Sequence, residues 1–501
     1  MNRQLRRLAL VTVLMLVVLV GATTYWQAWA AGGLQDKQDN AIERVIQFTI
    51  QRGLIVPESG KVTFAANRKV RVKGQTFFFR RYPTLGLAAQ TIGYSTASRS
   101  QAGLEQSMND YLTGSNTNLS NAFQRQLDRL GGGTVKGNKL VLSLDPSAQA
   151  LAMKQLGHNC GAVVAMNIKT GAVLVLASTP TYNPNLIDQP GGYAKVLKIR
   201  GGCGSASALL PRTTKGLYTP GSTFKMITAA AALDTGKFKP WSRFYDPGYC
   251  TEYGKPVSNA GNPDQGGTEV FGNVTLAQGF QHSINSVFCN VGKALGAKTV
   301  LDYAKRFGFY STPPLETPAD ERAPSGLYTY TKKGRVLFNP RDPNTAVDPG
   351  RLAFGQERML ATPLQMAMVA ATIANKGVVP RPYVVQRIVG PDGSIVRDTK
   401  SSNLGRAIKP KTAAELNAMM VSVVQGGTGT AAQIPGVLVA GKTGTAETGV
   451  PNVYTAWFVC FAPADNPRYA VAVVLEKQLN GFGGVVSAPI AKAVLQNLLH
   501  G

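Results

Sequence analysis

The apolar positions of this chain form one long uninterrupted run and a series of shorter periodic ones. Residues 8–26 are almost entirely apolar, a length that can cross a bilayer as a helix. Helix-like spacing recurs at residues 148–156, 226–233, 276–308, 364–375 and 488–499. Strand-like runs occupy residues 140–144, 162–167, 172–177, 437–440, 456–462 and 469–474. Helices and mainly antiparallel strands on one core predict a large α+β domain over residues 136–501.

A smaller α+β domain is predicted between the apolar run and the large domain, over residues 29–135. Residues 45–54 have helix-like spacing, and residues 61–82 indicate hairpins in which the three phenylalanines at 77–79 are buried between basic residues. Consecutive glycines at 131–133 predict a linker. Since no catalytic constellation occurs in this domain, a docking or spacer role is predicted.

The charges that flank the apolar run predict its orientation. The seven residues before it include three arginines, whereas acidic residues appear at 33–43. The positive-inside rule then predicts a cytoplasmic tail over 1–7 and a transmembrane anchor over 8–28, with the rest of the chain outside. A cleaved signal peptide is the alternative, because Ala-Trp-Ala at 28–30 resembles a cleavage site. Both interpretations export the chain, and we favour the uncleaved anchor in the cell membrane.

The chain is strongly basic, with 53 Lys and Arg against 27 Asp and Glu and a net charge of +26. Such a balance suits polyanionic partners. Because the sequence contains no nucleic-acid-binding motif, we expect no nucleic acid as partner. Anionic envelope polymers and acidic lipids remain as partners. Because the charges are scattered along the chain, a generic basic surface without a dedicated partner is the alternative.

The cysteines and histidines do not predict a metal site, a disulfide framework or a catalytic triad. The five cysteines are odd in number, far apart and without C-x-x-C spacing, so neither a metal site nor a disulfide framework is predicted. One bridge, such as Cys203–Cys250, is left open. Three histidines are too few and too oddly placed for a Ser-His-Asp triad, and His282 is expected to be a bystander. No cofactor or metal is expected.

The first candidate chemistry is the pair Ser222 and Lys225. Pro220 and Gly221 break the preceding structure, and an Ala-rich helix follows, so Ser222 is predicted near a helix N-terminus. Lys225 lies one turn later on the same face. Burial would lower the pKa of its ammonium group, which would make it a base beside a nucleophile. The alternative is an N-cap serine with a solvated lysine.

A second motif, S-x-N, occurs at Ser107, Ser283 and Ser401. Ser107 precedes the Ser222 pair, and Ser401 lies in a polar stretch that predicts a surface loop. Ser283 interrupts two apolar helical runs, where a polar loop would be held rigidly. We therefore select Ser283 and Asn285.

A third motif, K-T-G, occurs at Lys169 and Lys442. Lys169 joins two predicted strands and is most simply a hairpin turn. The second copy follows the other motifs in chain order and precedes a strong strand. We therefore predict that Lys442, Thr443, Gly444 and Thr445 bind substrate.

In this order, S-x-x-K, S-x-N and K-T-G are the signature of penicillin-recognising serine acyl transferases. The chain resembles the class B penicillin-binding proteins of bacterial cell-wall synthesis, through residues 218–225, 355–367 and 442–447. The resemblance runs from about residue 140 to the end, and more weakly over 81–94. It implies a transpeptidase domain of the penicillin-binding-protein and serine β-lactamase type, in which an antiparallel sheet flanked by helices joins an all-helical part. Ile284 is less usual for the family and affects packing more than chemistry.

The resemblance also implies a role for each candidate residue. Ser222 would attack the carbonyl between two D-alanines, with neutral Lys225 as base, and backbone N–H groups of Ser222 and Thr445 would form the oxyanion hole. Ser283 would relay a proton to the departing D-alanine, and Asn285 would bind the substrate amide. Lys442, with the hydroxyls of its two threonines, would bind a terminal carboxylate.

Several functions and partners remain open at this stage. The same residues would serve a D,D-carboxypeptidase or a β-lactamase, and a β-lactam sensor or scaffold is the non-enzymatic alternative. The stretch before the catalytic domain is too short for the glycosyltransferase domain of the bifunctional class A proteins. The implied partners are peptidoglycan stem peptides, the lipid-linked precursor and β-lactam antibiotics. A membrane-embedded SEDS-type glycan polymerase, contacted through residues 8–130, is also implied.

Overall fold

The computed structural model describes residues 2–25, 48–96, 101–115, 135–204, 207–262, 267–332 and 334–500. Helix α1 (Asn2–Thr24) contains the apolar stretch Arg6–Thr24, which has a mean hydropathy of 2.1. None of this stretch is buried against the described parts of the protein, as a single membrane span requires. The predicted glycine linker at residues 131–133 lies outside the described residues.

The unit after α1 is built around a β-hairpin. Its elements are β1 (Ile55–Pro57), β2 (Ala66–Val72), β3 (Gln75–Arg81), α2 (Ala89–Ile92), α3 (Gly103–Ser107) and α4 (Asn109–Thr113). The predicted hairpin is confirmed, since β2 and β3 pair antiparallel along their whole length. The prediction of three buried phenylalanines is wrong, because only Phe78 is buried. Successive strand side chains point to opposite faces, and the other two are half-buried on the second face.

The catalytic domain contains the remaining strands and helices. Its strands are β4 (Lys139–Leu142), β5 (Gly161–Asn167), β6 (Val173–Thr179), β7 (Arg243–Asp246), β8 (Tyr249–Glu252), β9 (Lys255–Ser258), β10 (Gly261–Asn262), β11 (Gly267–Thr268), β12 (Gly272–Thr275), β13 (Gly326–Thr331), β14 (Gly334–Leu337), β15 (Met359–Leu360), β16 (Val378–Pro380), β17 (Val385–Val389), β18 (Ile395–Asp398), β19 (Asn403–Arg406), β20 (Ala440–Glu447), β21 (Val453–Ala462) and β22 (Tyr469–Leu479). Its α-helices are α5 (Pro146–Leu156), α6 (Gly192–Leu197), α7 (Lys225–Asp234), α8 (Leu276–Gln281), α9 (Asn285–Leu295), α10 (Ala297–Arg306), α11 (Pro343–Ala346), α12 (Pro349–Ala353), α13 (Pro363–Ala374), α14 (Pro410–Gly426), α15 (Gly483–Val486) and α16 (Ala488–His500). Short 3-10 helices lie at Pro184–Leu186, Gly221–Phe224, Ala319–Glu321 and Thr430–Ala432.

A five-stranded antiparallel sheet, in the order β20-β21-β22-β5-β6, forms the centre of this domain. Both faces are covered, so its strands are nearly continuous apolar runs. Along β5, Val163 and Ala165 pack with α5 and α16, whereas Val164 and Met166 pack into the core that contains α13. Helix α7 lies in that second core, next to α9, α10 and α14. The predicted α+β architecture is confirmed.

The two predicted domains share a second sheet, in the order β1-β4-β17-β18. Here β1 pairs parallel with β4, and β4 pairs antiparallel with β17. The predicted helix over 45–54 is wrong beyond residue 50, because residues 51–57 run extended along this sheet. A Cβ atom at Gly53 would lie 1.7 Å from the backbone oxygen of Asn138. Close packing of two backbones therefore outweighs the local helical pattern.

Two further predictions need correction in the catalytic domain. Residues 437–439 are not a strand; β20 starts at Ala440 and carries the whole K-T-G motif, because its residues through Glu447 pair with β21. The prediction of no disulfide framework, with Cys203–Cys250 left open, is also wrong.

The structure contains the disulfides Cys160–Cys203 and Cys250–Cys289. Their partners are 43 and 39 residues apart, so their contact depends on the fold rather than on local spacing. Cys460 is a free thiol within the sheet, and burial raises its pKa.

Candidate active site

Ser222 lies on a tight 3-10 turn that immediately precedes α7. The turn is packed closely from both sides. Gly221 has a φ of +52°, its N–H donates to the Gly355 oxygen at 3.3 Å, and a Cβ atom on it would lie 3.0 Å from the Thr445 oxygen. Glycine is therefore required before the serine, because an L side chain would be strained there and would crowd β20. Ser222 lines a cleft of about 470 Å³.

The segment that leads into this turn is anchored to the central sheet. The indole N–H of Trp457 donates to the Thr219 oxygen at 3.0 Å. The Tyr218 hydroxyl donates to Glu476 Oε1 at 2.7 Å, and Arg212 donates to the same oxygen at 2.8 Å. Burial, together with the Glu476 carboxylate, raises the pKa of Tyr218 well above its usual value, so this hydroxyl stays a donor.

Lys225 is fully buried one turn after Ser222. Its Nζ donates to the Ser283 backbone oxygen at 2.6 Å and to Asn285 Oδ1 at 2.8 Å, and it lies 3.4 Å from Ser283 Oγ. Burial, and then the charge of Lys442, lowers the pKa of Lys225 well below its usual value. A lysine in this setting can be neutral and accept a proton.

Ser283 forms the junction between the three motifs. It connects α8 and α9 with a φ of +60°, a backbone conformation that is uncommon for a non-glycine residue and often marks a functional site. Lys442 Nζ donates to Ser283 Oγ at 2.8 Å, and Lys225 contacts the same residue from the other side. Lys442 is also fully buried, and burial lowers its pKa to about 7. The two lysines therefore meet at one hydroxyl.

Strand β20 borders the cleft as an edge strand of the central sheet. A Cβ atom on Gly444 would lie 2.8 Å from both the Pro220 oxygen and Thr223 Cγ2, so glycine allows the strand to approach the Ser222 turn. Thr443 and Thr445 line the cleft on either side of it. Because alternate N–H groups of an edge strand face away from the sheet, this edge can hold an extended peptide.

The cleft also contains residues that the sequence patterns did not indicate. Thr428 follows α14 and lines the cleft. Its hydroxyl is hydrogen-bonded to the Thr443 hydroxyl at 2.6 Å. His282, which the sequence predicts to be a bystander in catalysis, lines the cleft with its ring tilted by 33° against that of Phe271 and the ring centroids 5.3 Å apart. Tyr454 and Phe482 stack on each other at 5.4 Å in another part of the lining. These residues come from separate segments, and no local spacing links them.

The copies of the motifs that were set aside lie in other settings. Lys169 is an exposed residue of the turn between β5 and β6. Ser401 is an exposed residue before β19, and Ser107 ends α3. None of the three lines the described cleft.

One group of side chains has possible metal-ligand atoms close enough together to bind an ion. Ligand atoms of Cys250, Glu252 and Cys289 lie within 4.8 Å of one another. The two sulfur atoms are joined in a disulfide, however, so neither is available as a thiolate ligand.

Comparison with known proteins defines the class of the chain. A family model described as the penicillin binding protein transpeptidase domain matches residues 161–496. A second, described as the penicillin binding protein A dimerisation domain, matches residues 52–140. The chain therefore belongs to the penicillin-binding protein transpeptidase family.

Individual relatives are similar along the whole chain. The chain is 33% identical to the peptidoglycan D,D-transpeptidase PbpA of Mycobacterium tuberculosis, with 100% of each chain covered. It is 32% identical to PbpA of Mycolicibacterium smegmatis, with 100% of this chain and 99% of the relative covered.

Solved structures are similar in fold. Penicillin-binding protein A of M. tuberculosis, as its ceftriaxone acyl-enzyme complex, has a TM-score of 0.76 and 30% identity over 90% of this chain and 99% of its own. The D,D-transpeptidase domain of a peptidoglycan glycosyltransferase from Eggerthella lenta has a TM-score of 0.74 and 31% identity, with the same coverage. The predictions of a class B penicillin-binding protein, its fold and a serine D,D-transpeptidase are confirmed.

Proposed function

We propose that this chain cross-links peptidoglycan stem peptides by acyl transfer through Ser222. The observation that carries the proposal is the contact of two fully buried lysines, Lys225 and Lys442, with Ser283 beside the serine turn. Burying two ammonium groups that have no carboxylate partner among the described residues costs free energy of folding, and apolar side chains would pack a structural core without that cost. A neutral lysine that accepts a proton supplies the reason to keep them.

The first step is acylation. Ser222 Oγ attacks the carbonyl between the two terminal D-alanines while Lys225 accepts its proton, and N–H groups of Ser222 and Thr445 stabilise the oxyanion. As the peptide bond breaks, the Ser283 hydroxyl donates a proton to the leaving amine. The two lysines that contact this hydroxyl then replace its proton. The products are a seryl ester and free D-alanine.

Substrate binding and the second step use the rest of the motif residues. The hydroxyls of Thr443 and Thr445, with Lys442 behind them, bind the terminal carboxylate of the donor peptide. Gly444 brings their strand against the serine turn, and Asn285 binds the donor amide. The amine of a second stem peptide then attacks the ester, forms the cross-link and releases Ser222. A β-lactam follows the same first step and leaves the serine blocked.

The remaining parts of the proposal concern location and partners. Helix α1 anchors the chain with residues 1–7 in the cytoplasm, residues 29–135 form a pedestal-like domain, and residues 136–501 work outside the membrane. The pedestal-like domain and the anchor contact a membrane-embedded SEDS-type glycan polymerase, which supplies the lipid-linked strands. Co-purification of the polymerase with a variant that lacks residues 1–130 would contradict this contact.

The catalytic assignment is tested with a fluorescent penicillin. Wild type and Ser401→Ala, a variant of the exposed serine from the rejected motif, are expected to label, and Ser222→Ala is not. Equal labelling of Ser222→Ala and wild type would refute the assignment.

The acceptor is tested separately with lipid-linked precursor and product analysis. Cross-linked products are expected. Trimmed monomers alone would indicate a carboxypeptidase, and rapid nitrocefin turnover without a burst would indicate a β-lactamase. Labelling with neither cross-linked nor trimmed products would leave a sensor or scaffold as the function.

A further inference from the structure

Outside the three motifs, one buried carboxylate organises a wall of the cleft. Asp246, the last residue of β7, is 0% exposed and has no salt bridge among the described residues. Its Oδ1 accepts from Gly248 N at 2.9 Å and from the Ser286 hydroxyl, and its Oδ2 accepts from Phe271 N at 2.9 Å. Both oxygens accept from Asn259 Nδ2, at 3.0 and 2.9 Å. These hydrogen bonds compensate for burial and keep the pKa of Asp246 below its usual value.

Two residues held by this carboxylate belong to the wall of the cleft itself. Asn259 and Phe271 both line it, and the Phe271 ring contacts the tilted ring of His282. Asn259 Nδ2 also donates to the Glu269 backbone oxygen at 3.0 Å. The segments on both sides of β10 and β11 are therefore tied to one side chain, Asp246.

Two sets of hydrogen bonds connect the same carboxylate to Ser286, the residue that follows the S-x-N motif. Asn259 Oδ1 accepts from Ser286 N at 3.0 Å, and the Ser286 hydroxyl donates to Asp246. The neighbouring residues are joined as well, because Asn285 Nδ2 donates to the Ser258 oxygen at 3.0 Å. With its amide nitrogen held there, Asn285 directs Oδ1 to Lys225 Nζ at 2.8 Å.

We propose that Asp246 is a positioning residue for acylation, whose buried carboxylate holds Asn259 and Ser286 so that Asn285 keeps Lys225 aligned. The inference rests on the proposed role of Lys225 as base. Asp246 does not line the described cleft and acts only through the residues it holds. An asparagine in its place would present an amide N–H₂ to a group of donors and leave at least one of them without an acceptor.

Loss of this support affects Lys225 in a defined direction. If Asn285 Oδ1 moves away, the ammonium form of Lys225 loses one of its two close acceptors, while Lys442, the charged neighbour that acts on it, stays in place. The pKa of Lys225 then falls further. The acidic limb of the acylation profile should therefore move to lower pH while the maximal rate decreases.

The test compares Asp246→Asn with a matched control in the full chain. Asp234 is another buried carboxylate; it ends α7 and accepts from Lys409 N, Thr412 and Tyr303 rather than from cleft residues. The second-order rate of acylation by a fluorescent penicillin is measured from pH 5 to 9, with the thermal midpoint of each variant. Both variants are expected to melt earlier. Only Asp246→Asn should lower the maximal rate, by about ten- to a hundredfold, and shift the acidic limb.

A milder variant keeps the test decisive if Asp246→Asn does not fold. Ser286→Ala removes one donor to the carboxylate and should shift the profile in the same direction by a smaller amount. A rate and profile like those of wild type in folded Asp246→Asn or Ser286→Ala, or the same shift in Asp234→Asn, would overturn the inference. Failure of wild type to label at Ser222 would instead refute the proposed function.

Discussion

Replacing Lys442 by methionine should make the protein more stable and less active. Lys442 is fully buried, and burial lowers its pKa from 10.5 to about 7. A tenfold change in a protonation equilibrium corresponds to about 1.4 kcal/mol, so protonated Lys442 costs the folded state roughly 5 kcal/mol. Close to pH 7 roughly 4 kcal/mol of this cost is still present.

The substitution also removes favourable contacts, which sets the size of the net effect. Lys442 Nζ donates to Ser283 Oγ and to the Thr443 oxygen, and each such hydrogen bond contributes about 1 kcal/mol. Methionine fills a similar volume and places its sulfur near the ring of Phe280, which lies 5.6 Å from Lys442 Nζ. We expect Lys442→Met to gain roughly 1–3 kcal/mol in free energy of unfolding at neutral pH.

The pH dependence provides a second measure of the same effect. Between about pH 7 and 10.5 the unfolded chain binds more protons at Lys442 than the folded chain does. Stability therefore rises with pH in this window, and it is reduced below it. In Lys442→Met this rise should become smaller, leaving the part that Lys225 contributes.

The assay is urea unfolding of the full chain in detergent, followed by tryptophan fluorescence between pH 6 and 10.5. Acylation by a fluorescent penicillin, measured in parallel, should be strongly reduced. Lys169→Met, in the exposed K-T-G copy, is the matched control and should change stability by less than about 0.5 kcal/mol. A less stable Lys442→Met with an unchanged pH slope would refute the reasoning.

Three further substitutions test the site. Lys225→Arg should abolish labelling of Ser222 at every pH from 6 to 10, because a guanidinium stays protonated and cannot accept the proton; labelling at the wild-type rate would exclude Lys225 as base. Ser283→Gly should melt higher than Ser283→Ala by the equivalent of about 1 kcal/mol, because both variants lose the hydroxyl that accepts from Lys442 and only glycine relieves the positive φ; a midpoint no higher than that of Ser283→Ala would contradict the strain argument. Gly444→Ala should cost about 1–3 kcal/mol and slow acylation, since its Cβ atom would lie 2.8 Å from the Pro220 oxygen; an unchanged rate would show that β20 need not approach the serine turn so closely.

Much of the catalytic domain was predictable because its signals are local. Asp145 caps α5, and its carboxylate accepts from Ala148 N as the Asp-Pro-Ser sequence indicates. The polar interruption at Ser283 falls between α8 and α9, as predicted. Strands β5 and β22 were also evident, because strands covered on both faces are continuous apolar runs.

The errors arose where distant segments decide local structure. The extended backbone at 51–57 is held by β4 and by the residues just before it, and the strand character of the K-T-G motif comes from its pairing with β21. The partners of Cys160 and Cys250 depend on the same long-range packing. Phe77 and Phe79 are only half-buried because a hairpin offers one covered face.

By itself, the sequence predicted which residues carry the chemistry, since chain order and local setting distinguished the motifs of Ser283 and Lys442 from their copies. Only the tertiary structure decided that Lys225 and Lys442 are buried and meet at Ser283. It also decided that Asp246, on a separate strand, accepts from the Ser286 hydroxyl next to the S-x-N motif. The reason is physical: a motif specifies side chains and their local spacing, whereas a pKa depends on the desolvation and the neighbouring charges that the whole fold creates.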